Sequence, residues 1–264
     1  MHITKIFILC IILSLSGVVR GQSPYAVNFK QESKYILGGA TAYGVATLLQ
    51  GNQPALTPKN ISELELDDML GLDRGVIYNS NHRHELLSDY IFNGSFALPL
   101  LFLTQEKTRK SFGHIGLLYL ETALISGGIT NLTKSIFKRP RPYVYNELAE
   151  NGRKFSQNAS RSFISGHTSL TATNTFFMAK VFNDFYPDSK LKPYVWTLAA
   201  IVPAVVGYYR VSSGNHFPTD VAAGYVIGAS VGFLVPHLHK MKIGKESLLD
   251  VQGGPGGLSL QFQF

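Results

Sequence analysis

Three short runs of this sequence hold side chains able to do chemistry. Residues 134–142 read K-S-I-F-K-R-P-R-P, residues 162–169 read S-F-I-S-G-H-T-S, and residues 209–224 read Y-R-V-S-S-G-N-H-F-P-T-D-V-A-A-G. In the first, Lys134, Lys138, Arg139 and Arg141 fall within eight positions, and two prolines stiffen the chain. A fixed arginine fork matches the oxygens of a phosphate, and a lysine adds a point charge. Taken alone, the run would serve equally as the basic flank of a membrane helix. In the second, Ser165, Gly166 and His167 stand before a helical pattern. A helix N-terminus offers free N–H groups and the positive end of a dipole, and a glycine there lets an anion come close to the backbone. A capping serine followed by an ordinary histidine explains the same letters. In the third, His216 and Asp220 lie four apart at a helix start marked by Pro218, with Arg210 upstream. That spacing lets the carboxylate fix the tautomer through one ring nitrogen and leaves the other free to attack. A surface His–Asp pair would look the same in isolation.

The elements that must position these runs are six apolar segments: 35–50, 87–104, 113–133, 167–185, 194–211 and 219–238. Each is too long for an ordinary strand and several have helical spacing, so an all-α, six-helix bundle is expected. Lys134 and Arg141 follow the third helix, His167 opens the fourth, Arg210 ends the fifth and Asp220 opens the sixth. If consecutive helices run antiparallel, every one of these ends lies on the same side of the bundle. Polar stretches at 50–85 and 142–163 read as loops with short helices, and the alternation Leu258, Leu260, Phe262, Phe264 reads as one strand or a disordered end.

Composition narrows the setting. The 264 residues are 45% apolar and only 16% charged, with a net charge of +7. A low charged share points to a large core, to helices in lipid, or to both. The basic surplus suits nucleic acid, an anionic membrane surface or an anionic substrate; with the phosphate-type motifs, the reading is an anionic substrate and a membrane, with no nucleic acid. The single cysteine, Cys10, excludes a disulfide framework and a thiolate metal site. Residues 1–21 read as a secretory signal: Lys5, the apolar run 6–15, then the small residues Ser16, Gly17 and Gly21. Residues 22–112 then supply N-terminal helices and a polar insert, 113–240 the catalytic core and 241–264 a tail. A spanning helix wants about 20 apolar residues; of the six segments, 113–133 and 219–238 come close.

Together these residues resemble the type 2 phosphatidic acid phosphatase superfamily, which includes bacterial acid phosphatases, lipid phosphatases and vanadium haloperoxidases. The signature is a Lys, six residues and Arg-Pro, here Lys134 to Arg141-Pro142. It continues with Pro-Ser-Gly-His, here Ile164 to His167. It ends with Ser-Arg, five residues, His, three residues and Asp, here Tyr209-Arg210 to His216 to Asp220. Ile164 stands for the usual proline and Tyr209 for the usual serine. The resemblance implies that His216 attacks phosphorus to form a phosphohistidine and that Asp220 orients it. It implies that His167 protonates the leaving alcohol and then activates water. Lys134, Arg141, Arg210 and the backbone at Ser165 and Gly166 would hold the phosphate oxygens, with no metal and no cofactor. The expected substrate is a lipid phosphate or diphosphate. The expected place is the periplasmic side of a cell envelope, membrane-embedded or peripheral. Other readings of the same pocket are a soluble broad-specificity acid phosphatase, a vanadate-dependent haloperoxidase, and a non-catalytic phosphate-binding envelope protein.

Overall fold

The computed structural model describes residues 23–27, 29–240, 249–254 and 257–262. Five of the six apolar segments each lie within one long helix and the second overlaps one in part: α1 Phe29–Gly51, α2 His82–Ser95, α3 Phe112–Phe137, α4 Gly166–Phe185, α5 Lys192–Ser212 and α6 Pro218–Leu238. The all-helical class is as expected, but these are the long helices among the described residues and the exact six-helix count is not confirmed. Short helices at Pro58–Ser62, Gly71–Arg74, Glu106–Arg109, Pro142–Tyr145 and Asn151–Lys154 lie between them. The segment 87–104 is not one helix: α2 stops at Ser95, and a 3-10 turn over Leu98–Leu103 follows, with Pro99 in its first turn. Proline there lacks the amide that an α-helix would need.

The ends that bear the motifs are fixed locally. Lys138 ends α3 by turning left-handed at φ 46°, and Pro140 and Pro142 keep the chain extended away from it. Ser165 caps α4 by accepting the Thr168 amide, and Pro218 occupies the first turn of α6. Gly214 sits at φ 69°, where a Cβ would lie 2.0 Å from the Asn79 carbonyl oxygen; only glycine fits this bend before His216.

α4 is the centre of the bundle and packs on α6, α5, α3 and α2, while α1 packs on α3. α4 buries polar side chains as well as apolar ones. Thr173 bonds Ser126 at 2.7 Å, Ser169 bonds Thr130 at 3.1 Å, and Asn174 bonds Ser95 at 2.8 Å and Tyr119 at 3.0 Å. Burying these groups costs little because each has a partner. Across the other face, Gly224, Gly228 and Gly232 of α6 lie against the backbone of α4: a Cβ on Gly228 would meet the Ser169 carbonyl oxygen at 1.9 Å. Small residues that let backbones touch are the usual packing device where lipid, not water, surrounds a bundle.

Among the described residues, four helical stretches are long and apolar enough to cross a membrane: His82–Leu103, Phe112–Tyr145, Lys192–Ser212 and Pro218–Leu238. This adds two to the pair expected from sequence. Leu37, Leu48, Leu100, Leu198, Val226 and Leu238 project from the bundle and are exposed, an apolar surface suited to lipid. At the end of the bundle away from the motifs, Phe177, Phe185, Ile115 and Leu118 form a dry core with Tyr25, whose hydroxyl donates to Asp184 at 2.9 Å. The tail forms an antiparallel hairpin, Leu249–Gly254 with Gly257–Phe262, rather than one strand; Phe264 and the signal at 1–21 lie outside the described residues.

Candidate active site

The motif-bearing helix ends meet at one end of the bundle, as antiparallel packing requires. His216 stands in the loop between α5 and α6, 1% exposed, with its amide on the Arg210 carbonyl oxygen at 3.2 Å. Its Nδ1 faces Asp220 Oδ2 at 3.6 Å and makes no hydrogen bond. A small closure of that gap would supply the orienting bond. Asp220 is itself held rigidly. Its carboxylate accepts from the Phe217 amide at 2.9 Å, from the Ser162 hydroxyl and from Arg139 at 2.6 Å. Arg139 also pairs with Asp73 at 2.8 Å, and Asp73 in turn accepts from the Thr219 hydroxyl at 2.6 Å.

Around His216 stand three buried cations. Lys134, on the last turn of α3, donates to the Arg161 carbonyl oxygen at 2.8 Å. Arg141 donates to the carbonyl oxygens of Asn158 at 3.0 Å and Asn215 at 3.1 Å, and to Asn158 Oδ1 at 3.1 Å. Among the described residues, neither Lys134 nor Arg141 has a carboxylate partner. Arg210, on the last turn of α5, pairs through Nη1 with Asp89 at 3.2 Å and donates to Ser88 Oγ at 3.3 Å, while its buried Nε is unpartnered. Buried cations without counter-charges are costly. The arrangement is a cradle for an anion.

His167 lies in the first turn of α4, its ring against Phe92 with centroids 4.3 Å apart and its Nε2 2.9 Å from Asp89 Oδ1. Burial is the main force lowering its pKa, followed by the charges of Arg210, Arg141 and Lys134. The pKa of His216 also lies well below the ordinary histidine value, lowered first by burial and then by Arg141, Lys134 and Arg210. At neutral pH His216 is therefore an unprotonated imidazole, the form able to attack. Gly166 packs closely here: a Cβ on it would lie 3.6 Å from Lys134 Cε. Its amide and that of His167 have no intrahelical acceptor. The Ser165 amide differs from expectation, because it donates to the Asp220 carbonyl oxygen at 3.0 Å and is spoken for.

All eight residues singled out by sequence are thus joined to one site. Sequence reasoning gave no role to Asp89, Arg139, Asp73 or Asn215. Asp89 carried one signal, a lone acid inside an apolar segment; Arg139 was only one of four bases in a run. Asn215 joins the site to the 142–163 loop, accepting from Arg153 at 2.9 Å and donating to Glu85 at 3.1 Å. The two departures from the family pattern fall outside the cradle contacts. Ile164 is fully buried, and the ring of Tyr209 stacks on His84 at 4.7 Å.

Residues 115–243 match the family model described as the PAP2 superfamily. Lipid A 4'-phosphatase of Porphyromonas gingivalis is 29% identical over 145 residues, which cover 52% of this chain and 56% of that protein. Lipid A 1-phosphatase of Rhizobium johnstonii is 32% identical over 142 residues, 52% of this chain and 54% of that protein. Undecaprenyl-diphosphatase of Sulfolobus acidocaldarius is 25% identical over 146 residues, 55% and 62% of the two chains. The chain spans little more than half the length of the curated relatives it matches. The crystal structure of a transmembrane PAP2 type phosphatidylglycerolphosphate phosphatase from Bacillus subtilis aligns over 92% of this chain and 98% of its own, with a TM-score of 0.47 and 21% identity.

Proposed function

We propose, from the match of residues 115–243 to the PAP2 superfamily model, that this chain is a metal-independent phosphatase acting on a lipid phosphate or diphosphate. The observation that carries the reading is the buried, neutral His216 facing three buried cations, two of them without a carboxylate partner.

The substrate phosphate takes the place the cations leave for an anion, its non-bridging oxygens against Lys134, Arg141, Arg210 and the Gly166 amide. Charge that develops on these oxygens is thereby stabilised by groups already in position. His216 Nε2 attacks phosphorus while Nδ1–H turns to Asp220. The N–P bond forms as the P–O bond to the lipid breaks. The bound dianion offsets the cations that hold His167 neutral, so His167 takes up a proton and gives it to the leaving oxygen. Water then attacks the phosphohistidine, His167 removes a proton from it, the N–P bond breaks and phosphate departs. Asp89 shares Arg210 and His167, which makes it a positioning residue and a competitor of the phosphate.

The lipid class is supported by the relatives' names, each a lipid phosphatase or diphosphatase, and by the apolar exterior around the site. Candidate substrates are phosphatidic acid, phosphatidylglycerophosphate, polyprenyl diphosphate and the phosphates of lipid A. The site is assigned to the periplasmic side of a cell envelope, reached by export on residues 1–21, with residues 22–240 acting as one catalytic unit. The test is phosphate release by the purified chain in detergent from each of these lipids and from water-soluble p-nitrophenyl phosphate. Release from lipids, lost in His216→Ala, is expected; turnover confined to the soluble ester would overturn the lipid assignment.

A further inference from the structure

At the end of the bundle opposite the cradle, a second cluster of functional groups has no part in the chemistry above. Glu32 of α1, Glu121 of α3 and His239 just after α6 bring one ligand-type atom each to within 4.8 Å of one another. Glu32 and Glu121 are 1% and 2% exposed. His239 Nε2 is 2.8 Å from Glu32 Oε2 and 3.8 Å from Glu121 Oε2. His239 follows Asp220 by 19 positions, roughly 28 Å along a helix, so the cluster is remote from His216.

We propose that Glu32, Glu121 and His239 form a binding site for a divalent transition-metal ion, zinc or manganese, that ties α1 to α3 and α6. Two independent observations point to a ligand. Glu121 Oε2 is buried and has no hydrogen-bond partner, and it borders a cavity of about 430 Å3 that His239 and Tyr35 also line. An acceptor left unpaired in such a place wants a cation, and an ionisable group at membrane depth is retained for a function. The orientation of the histidine is the second mark. Its Nδ1 lies 2.7 Å from the Val235 carbonyl oxygen. A carbonyl only accepts, so Nδ1 carries a hydrogen and holds the ring as ligating histidines are held; Nε2 donates to Glu32 Oε2 at 2.8 Å while the site is empty and gives up that proton when an ion binds.

Charge agrees. Once Nε2 has released its proton to ligate, a neutral imidazole and two carboxylates total −2, which a divalent ion neutralises. Lys240, which lines the same cavity, is engaged with Asp184 at 2.8 Å. Ligand distances of about 2.0–2.2 Å in a tetrahedral site set donors about 3.3–3.6 Å apart, so the side chains draw in by roughly 1 Å to hold one ion. A nitrogen ligand beside two oxygens favours zinc or manganese over magnesium or calcium, and the cavity leaves room for water in the remaining positions.

The test uses the full chain in detergent, stripped with a chelator and titrated with Zn2+ or Mn2+. One ion per chain is expected, with a rise in melting temperature and unchanged kcat on a lipid phosphate. Glu121→Gln and His239→Ala should each weaken binding tenfold or more. Since either variant could unfold, pulsed EPR of Mn2+ on the unmutated chain provides a second reading: nitrogen coupling from one imidazole, retained in His216→Ala. No binding of either ion, unaltered binding in both variants, or a Mn2+ signal without nitrogen coupling would overturn the site.

Discussion

At the scale of single residues, the surroundings of His216 decide its protonation. Burial and the charges of Arg141, Lys134 and Arg210 hold its pKa well below the ordinary histidine value. Two pH effects follow. First, kcat/KM should not fall through protonation of the nucleophile between about pH 7 and 5; a loss there with the pKa of an ordinary histidine would contradict the assignment. Second, the unfolded chain takes up a proton near pH 6.5 and the folded one does not. Stability contributed by this group is full above about pH 6.5 and falls as the pH drops from there toward the folded pKa, by up to about 1.4 kcal/mol per pH unit. Denaturant titrations at pH 7.5 and 5 should show the decline, and His216→Ala should flatten it. Asp220→Asn removes the group that orients Nδ1 and one partner of Arg139. It should lower kcat on the order of 1,000-fold with a smaller change in KM. The eight candidate site residues could be picked out from the sequence because each sits at a fixed spacing within a motif. Asp89 and Asp73 were not, because each reaches the site from the N-terminal third through tertiary packing alone, with no local spacing to mark it.

At the scale of elements, the six apolar runs announced the six long helices, and Pro218 announced the start of α6. The break of the second run was less visible, since its apolar letters continue past Ser95 and only Pro99 signals the change. The role of α4 was hidden for a different reason. Its Thr, Ser and Asn residues look like a solvent face until Ser126, Thr130, Ser95 and Tyr119 are seen to satisfy them from neighbouring helices. The α4–α6 contact carries its own prediction. A methyl at Gly228 cannot fit 1.9 Å from the Ser169 oxygen, so Gly228→Ala must push the helices apart. A loss of about 1–3 kcal/mol is expected, read as a lowered melting temperature, and an unchanged one would show that α4 and α6 do not pack as described.

At the scale of the whole molecule, four helices long and apolar enough to span and an apolar exterior predict a chain that stays with the membrane under carbonate extraction. Release into the supernatant would contradict insertion. The phosphate cradle marks one end of the bundle and the Glu32–Glu121–His239 cluster marks the other. A protease-sensitive 146–160 loop in intact spheroplasts is expected if the cradle faces the periplasm. The whole account, however, turns on a covalent bond at His216. The most direct measurement is acid-free quenching of the chain during turnover of a 32P-labelled lipid phosphate, followed by mapping of the label. The account predicts label on His216, increased in His167→Ala, where water is poorly activated, and absent in His216→Ala. Label on another residue, or its persistence in His216→Ala, would contradict it.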